Sequence, residues 1–247
     1  MNFFSLFKRN LIYKFKKKAS IDIDNIKFNT LDELFHHYGS DKANVFKLNN
    51  KSGHGFSKFY EKNFKKFKDK KINILEIGSY AGGSAAAFVK YFPNTNIFCF
   101  DINISNFKYK SKNIHVFGID INNEKKINKT LKNIFLQFNF GGFDLIIDDG
   151  SHNLRDILHG LKFFFQYVKN KGIYVIEDFK HPNYYTYNKN INHIFIDELL
   201  NNLQNKKISI SSVFTKSDQI DLINQIEKIE RYKGNLDDSD IAFINKK

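Results

Sequence analysis

From Lys71 onward the chain alternates short apolar runs with longer stretches in which apolar residues recur every three or four positions. The short runs are Ile72–Ile77, Ile97–Asp101, Ile114–Gly118, Phe143–Asp148 and Gly172–Glu177, rich in β-branched and aromatic residues and ending at or beside an acidic residue or glycine. Such runs predict strands covered on both faces, as in a parallel sheet. Between them, Ser84–Tyr91, Glu124–Phe138 and Leu154–Val168 predict helices. In the last, Ile157, Leu158, Leu161 and Phe165 form one stripe, with Arg155, Asp156 and Lys162 off it. Two further strands, Ile208–Phe214 and Asp240–Ile244, are predicted on either side of a helix read from the charged, periodic stretch Asp218–Tyr232. The pattern is that of an α/β domain over residues 71–247, a seven-stranded, mostly parallel sheet with helices on both faces and a reversed last hairpin. Right-handed crossovers place the ligands of such a sheet at the carboxyl ends of its strands.

Residues 1–70 read as a basic, helical extension or cap. Residues 1–72 hold 17 Lys or Arg against 7 Asp or Glu, which accounts for most of the net charge of +13. A basic surface draws phosphate-bearing or anionic partners, among them nucleotide-sugars, glycans and lipids. Lysine is abundant along the whole chain, as in AT-rich coding, so nucleic acid is not expected as a partner. The expected substrate is a small molecule or a glycan, and the sequence leaves open whether the chain forms a homo-oligomer. A single cysteine, Cys99, excludes an internal disulfide framework and a thiolate zinc site, which points to a reducing cytoplasm. No apolar run has the length of a membrane span. Phe4, Phe7, Leu11 and Phe15 recur at helical spacing among Lys8, Arg9, Lys14 and Lys16–Lys18. That segment fits a helix packed on the domain as well as one lying on anionic lipid.

The first strand runs into Glu76-Ile77-Gly78-Ser79-Tyr80-Ala81-Gly82-Gly83-Ser84. Glycines there allow a sharp turn and close approach to a ligand, and the following helix offers free N–H groups. A dinucleotide fingerprint requires glycine where Tyr80 stands, so that pattern is broken. Glu76, two residues before Gly78, suits instead a cofactor whose methionine moiety carries an amino group. Asp101, ending the second strand, can accept both hydroxyls of a ribose. Asp120 or Asn122, after the third strand, could meet an adenine amino group.

Asp148-Asp149-Gly150-Ser151-His152 ends the fourth strand and Glu177-Asp178 the fifth. Neighbouring strands would bring these tips together, and crowded carboxylates repel one another unless a cation or proton separates them. Asp149, Glu177 and Asp178 offer oxygen ligands suited to Mg²⁺ or Mn²⁺. His152 is placed to take a proton near neutral pH. Asp148 is expected in a structural role or at the cofactor. His181, Tyr184, Tyr185 and Tyr187 read either as a substrate wall or as a plain aromatic loop.

Several strings taken together resemble a known family. They are His37-Tyr38-Gly39-Ser40-Asp41-Lys42, His54-Gly55-Phe56 with Tyr60, Leu75-Glu76-Ile77-Gly78 with Gly82-Gly83-Ser84, and Tyr91-Phe92-Pro93-Asn94. Ile147-Asp148-Asp149-Gly150-Ser151-His152 and Tyr174-Val175-Ile176-Glu177-Asp178 complete the series. Over residues 34–179 the chain resembles the metal-dependent sugar O-methyltransferases of antibiotic biosynthesis. The resemblance implies a class I methyltransferase (Rossmann-like) fold, S-adenosylmethionine and Mg²⁺ as cofactors, and transfer to a hydroxyl of a nucleotide-linked or glycan sugar. It implies Asp149, Glu177 and Asp178 as metal ligands and His152 as general base. Glu76, Gly78 and Asp101 would contact S-adenosylmethionine, with Gly82 and Ser84 in the same loop, and Tyr38–Lys42 would close the pocket. The stretch Gly118-Ile119-Asp120-Ile121-Asn122 departs from the family pattern, as do Met1–Phe28 and everything beyond Lys180. The alternatives are a non-sugar acceptor, a nicotinamide-dependent oxidoreductase on the same sheet, and a non-catalytic basic binding module.

Overall fold

The computed structural model describes residues 3–180 and 194–247. Among these, the main sheet holds β1 (Ile72–Ile77), β2 (Thr95–Asp101), β3 (Ile114–Gly118), β4 (Phe143–Asp148), β5 (Val168–Glu177), β6 (Ile226–Lys233) and β7 (Asp240–Lys246). The helices are α1 (Phe3–Phe15), α2 (Leu31–Tyr38), α3 (Ser57–Phe64), α4 (Gly83–Tyr91), α5 (Glu124–Phe138), α6 (Leu154–Phe164), α7 (Ile196–Gln204) and α8 (Lys216–Gln225). Across the sheet the order is β3-β2-β1-β4-β5-β7-β6. β1 to β5 run parallel, and β7 is antiparallel to both of its neighbours. The expected reversed hairpin is therefore present.

Side chains alternate along β1, and the alternation divides the interior. Leu75 and Ile77 join a core roofed by α5 to α8. Ile72 and Ile74 join a second core under α2, α3 and α4. Glu76 has the parity of the second set, so it lies on an apolar face and is fully buried. Within that core the Tyr60 ring packs edge-on against Phe35, Phe64, Phe88 and Phe243 at centroid distances of 5.0–6.0 Å. Aromatic packing of this kind contributes about 0.5–1.5 kcal/mol per pair beyond area burial, and it fixes where the Tyr60 hydroxyl points.

Short local signals decide where α2 hands the chain on. Thr30 and Glu33 form a capping box at its start, and Gly39 ends it in the left-handed region at φ 69°. The segment after it is clamped by backbone bonds from His54 to Asp41, Gly55 to Ala43 and Phe56 to Lys42, at 2.7–3.0 Å. Lys42 is thereby directed inward.

The last third of the chain departs from the expected layout. Ile208–Phe214 is not a strand: Ile208 is 41 % and Ile210 98 % exposed. The Gln219 side chain instead holds this segment, accepting from the Ser209 N–H and donating to the carbonyls of Ser209 and Phe214. The stretch expected as one helix over Asp218–Tyr232 is split into α8 and β6. A register shift in β6 near Ile226–Lys228 explains the misreading. A bulge adds one residue, so Ile226 and Ile229, three apart, both turn inward and mimic a helical period. Ahead of β5, α6 finishes at Phe164 in a 3₁₀ turn (Phe165–Tyr167), and β5 begins at Val168, four residues before the predicted start. Among the described residues no helix is long and apolar enough to cross a membrane.

Candidate active site

The sheet order doubles back between β1 and β4, and both tips meet there. The Asp149 N–H donates to the Ile77 carbonyl at 2.9 Å. A side-chain carbon on Gly78, whose φ is +84°, would lie 1.8 Å from the Asp149 carbonyl oxygen. Only glycine allows that approach. Two cavities open on either side of Gly78. The larger, about 220 Å³, is lined by Tyr38, Ser40, Lys42, Ser79, Ser84 and Asp149 among others. The smaller, about 150 Å³, is lined by Asp101, Ile102, Ile119, Asp120, Asn122 and Ser151 among others. Asp101 is held in place by the N–H groups of Tyr80 and Asn103, at 2.7 and 2.5 Å. Each oxygen keeps a lone pair for a further donor. Gly78 lines both cavities.

Glu76 gives the reason to expect an amine. Its carboxylate is fully buried and neither oxygen has a hydrogen bond of good geometry, although the Ser84 and Ser79 hydroxyls stand near enough to favour its charged form. Burial pushes its pKa up to about 7, against the opposing pull of the Lys42 cation. An orphaned buried acid costs free energy unless a ligand completes it, and an ammonium group would do so. The raised pKa means that the folded protein gains from Glu76 protonation at low pH and loses that stability as pH rises through about 7. Glu76→Gln is therefore expected to raise the melting temperature at pH 8 and to leave it nearly unchanged at pH 5. Ligand amines need the ionised carboxylate, so affinity for S-adenosylmethionine should strengthen about tenfold between pH 6 and pH 8. Calorimetric titration at both pH values checks this, and a flat profile would remove Glu76 from the site.

The acidic tips of β4 and β5 do meet, and the chain supplies part of their counter-charge itself. The Lys42 ammonium, 2 % exposed, lies 2.5 Å from Asp149 Oδ2 and 2.6 Å from Glu177 Oε2. Burial works against its charge, yet the two carboxylates hold its pKa well above the usual lysine range. Burial likewise drives Glu177 well above the usual carboxylate range, with Lys42 pulling the other way. The Tyr60 hydroxyl donates to the second Glu177 oxygen. Glu177, expected as a metal ligand, is thus engaged by Lys42 and Tyr60. Lys42, expected at the cofactor, lines the larger cavity but is committed to this pair.

Asp149, His152 and Asp178 place ligand atoms within 4.8 Å of one another, close enough to hold one ion. Asp178 Oδ1 is buried and lacks a hydrogen bond of good geometry, so it has capacity for a cation. His54 Nδ1 stands 3.3 Å from it and accepts from, or donates to, Ser239 Oγ at 2.7 Å. Burial opposes a charged His54, but Asp178 outweighs it and raises the imidazole pKa to about 9. His152 Nε2 lies 3.7 Å from Asp149 Oδ1. His152 and Asp178 both adopt left-handed backbone, at φ 53° and 49°. Positive φ outside glycine costs of order 1–3 kcal/mol and persists where surroundings enforce it, commonly at functional sites. Two carboxylates with water suit Mn²⁺ as well as Mg²⁺, and the His152 imidazole stands beside them.

Asp148 turns away from both cavities. Its Oδ2 accepts from the Tyr174 hydroxyl at 3.0 Å and lies against the place a Gly160 side chain would take, because Asp148 pairs with Ile77 and so points to the opposite face of the sheet from Glu76. Asp148 lines neither cavity and is engaged by Tyr174. Gly82 caps α4 at φ 79°, with Phe107 filling the place of its side chain. His181, Tyr184, Tyr185 and Tyr187 lie outside the described residues. The sequence reading assigned His54 and Tyr60 no role. Their only signal was membership of the motif strings, since their partners are 124 and 117 positions away in sequence.

Comparison with known proteins bears on this geometry. No protein-family model matches the chain. It spans 89 % of its length and 55 % of a solved methyltransferase of the mycinamycin biosynthetic pathway, crystallised with Mg, SAH and mycinamycin VI, at 20 % identity and a TM-score of 0.65. The fold is that of a class I methyltransferase. Among curated sequences, this methyltransferase-fold chain is 27 % identical over 132 residues to the mycinamicin VI 2''-O-methyltransferase of Micromonospora griseorubida, covering 51 % of this chain and 31 % of that one. It is 30 % identical over 135 residues to the demethylmacrocin O-methyltransferase of Streptomyces fradiae, covering 51 % and 32 %. A rhamnosyl tetracenomycin-C 2'-O-methyltransferase of Streptomyces olivaceus is 25 % identical over 148 residues, covering 57 % and 35 %. The chain thus spans about a third of the length of the curated relatives it matches. The resemblance read from the motif strings is borne out by these relatives.

Proposed function

We propose that this chain is an S-adenosylmethionine- and divalent-cation-dependent O-methyltransferase acting on a sugar hydroxyl. The observation that carries the reading is Asp149, which lines the larger cavity beside Gly78 and also belongs to the ligand group with His152 and Asp178. A methyl donor and a cation would meet at that one residue. A relative named for 2'-O-methylation of a rhamnosyl tetracenomycin supports a sugar acceptor. When bound, S-adenosylmethionine supplies an electrophilic methyl group, and a divalent cation lowers the pKa of a hydroxyl beside it.

The chain's own residues do the rest. Glu76 receives the ammonium of the methionine moiety, and Asp101 accepts the ribose hydroxyls. Asp120 and Asn122 line the smaller cavity at the adenine end. Asp149 and Asp178 hold the cation, while Lys42 and His54 balance the remaining negative charge. His152 takes the acceptor proton on Nε2 and, once charged, stays paired with Asp149. Tyr38 and Ser40 close the larger cavity from the end of α2. A nicotinamide dinucleotide would require glycine at Tyr80, and titration against NAD and S-adenosylmethionine separates the two readings.

EDTA is expected to abolish methyl transfer, and Mg²⁺ or Mn²⁺ to restore it, measured with labelled S-adenosylmethionine on a panel of glycosides. Asp178→Asn should weaken Mn²⁺ binding, followed by electron paramagnetic resonance, by about tenfold or more. Full activity in EDTA would remove the cation from the mechanism.

A further inference from the structure

Helix α1 carries two faces with different partners. Its inner face is fastened to the domain beyond the tips of β2 and β3. Arg9 donates to the Ile102 carbonyl at 3.2 Å, and the Tyr13 ring meets Phe107 edge-on at 6.3 Å. Just after the helix, Lys16 donates to the Ser105 and Asn106 carbonyls at 2.8 and 3.1 Å. The outer face is apolar and open: Phe4, Phe7, Leu11 and Phe15 are 78, 57, 46 and 76 % exposed. At 3.6 residues per turn these four fall within an arc of about 80°. Lys8 and Lys14, both exposed, border that arc on either side, and Lys17 comes next along the chain. No acidic residue occurs before Asp22.

We propose that this outer face of α1 docks on a bilayer surface bearing anionic lipid. Three phenylalanines and a leucine aligned on one face of a fastened helix form a contiguous exposed apolar patch, unlike the singly scattered apolar residues usual on a surface, and such patches mark interaction sites. Lysines along both borders match anionic headgroups in charge, and their long stems let the ammonium groups reach upward while the stripe sinks to the acyl boundary. The same lysines would repel one another across a symmetric α1–α1 contact between two copies, which disfavours a second copy as the occupant.

The test is co-sedimentation of the full chain with phosphatidylglycerol–phosphatidylcholine vesicles and with phosphatidylcholine vesicles alone. Binding is expected to the first and to be weakened by salt. The variant Phe7→Ser/Leu11→Ser/Phe15→Ser should reduce partitioning about tenfold or more, and so should Lys8→Glu/Lys14→Glu. All five side chains are exposed, so the thermal midpoint should not move. A wild-type chain that stays in the supernatant with anionic vesicles overturns the proposal. So does undiminished binding by both variants. A wild-type dimer in sedimentation velocity that the serine variant converts to monomer also overturns it, because the stripe would then be covered by a second copy.

Discussion

His152→Ala is expected to lower kcat by about 10²–10⁴-fold while leaving the affinity for S-adenosylmethionine within about threefold of the parent. The split reflects position. His152 lies beyond Gly150, with Nε2 3.7 Å from Asp149 Oδ1, and lines neither cavity at Gly78. Its loss removes the proton acceptor without touching the residues that would grip the methionine or nucleoside ends. Backbone strain complicates the alanine variant, because residue 152 sits at φ 53°. His152→Asn resolves this, since asparagine tolerates the left-handed region and cannot act as a base. Both variants should fail equally in turnover, measured with saturating acceptor and labelled cofactor. If the alanine enzyme keeps more than about a tenth of kcat, the proton leaves by another route.

Lys42→Met is expected to cost about 3–5 kcal/mol of stability. The methylene stem is replaced well enough, so packing changes little. What changes is charge: Asp149 and Glu177 lose the ammonium group 2.5 and 2.6 Å away, and Glu177 is 2 % exposed. A buried carboxylate left without its cation must take up a proton or open the structure to water. The double variant Lys42→Met/Glu177→Gln should recover a large part of the loss, since the neutral amide still accepts from the Tyr60 hydroxyl. Urea denaturation of the three proteins measures the coupling directly. A Lys42→Met loss below about 1 kcal/mol would mean that the pair is not ionised in the folded protein. The sequence led us to expect a cation or a proton to separate the acids at the strand tips. Lys42 and His54 supply two positive charges from the chain, set against Asp149, Glu177 and Asp178, and Asp149 and Asp178 still lie close enough, with His152 beside them, to share an ion.

The sequence by itself determined the five parallel strands, the glycine turn after β1 and the acidic strand tips. Those features are local. A strand buried on both faces must be apolar along its whole length, a tight crossing over Gly78 admits no side chain, and polar groups are tolerated only where such strands end. Asp101 was legible as a strand-ending acid for the same reason, and Glu76 as an acid in an otherwise apolar run. The sequence could not separate a helical period from a bulged strand in Ile226–Lys233, because a single inserted residue makes the two patterns coincide.

Only the tertiary structure decided how the charges pair. Lys42 reaches Glu177 across 135 residues because Gly39 ends α2 and the backbone of His54–Phe56 clamps Asp41–Ala43. Tyr60 reaches the same carboxylate because four aromatic rings hold it there. Asp148 and Asp149, adjacent in the chain, part company because successive residues of a strand face opposite ways. Which acid meets a lysine, which meets an imidazole and which remains available to a cation depends on distances of a few ångströms between elements far apart in sequence. Coulomb energies at such separations change by kilocalories with each ångström and with each degree of burial. No periodicity along the chain encodes them.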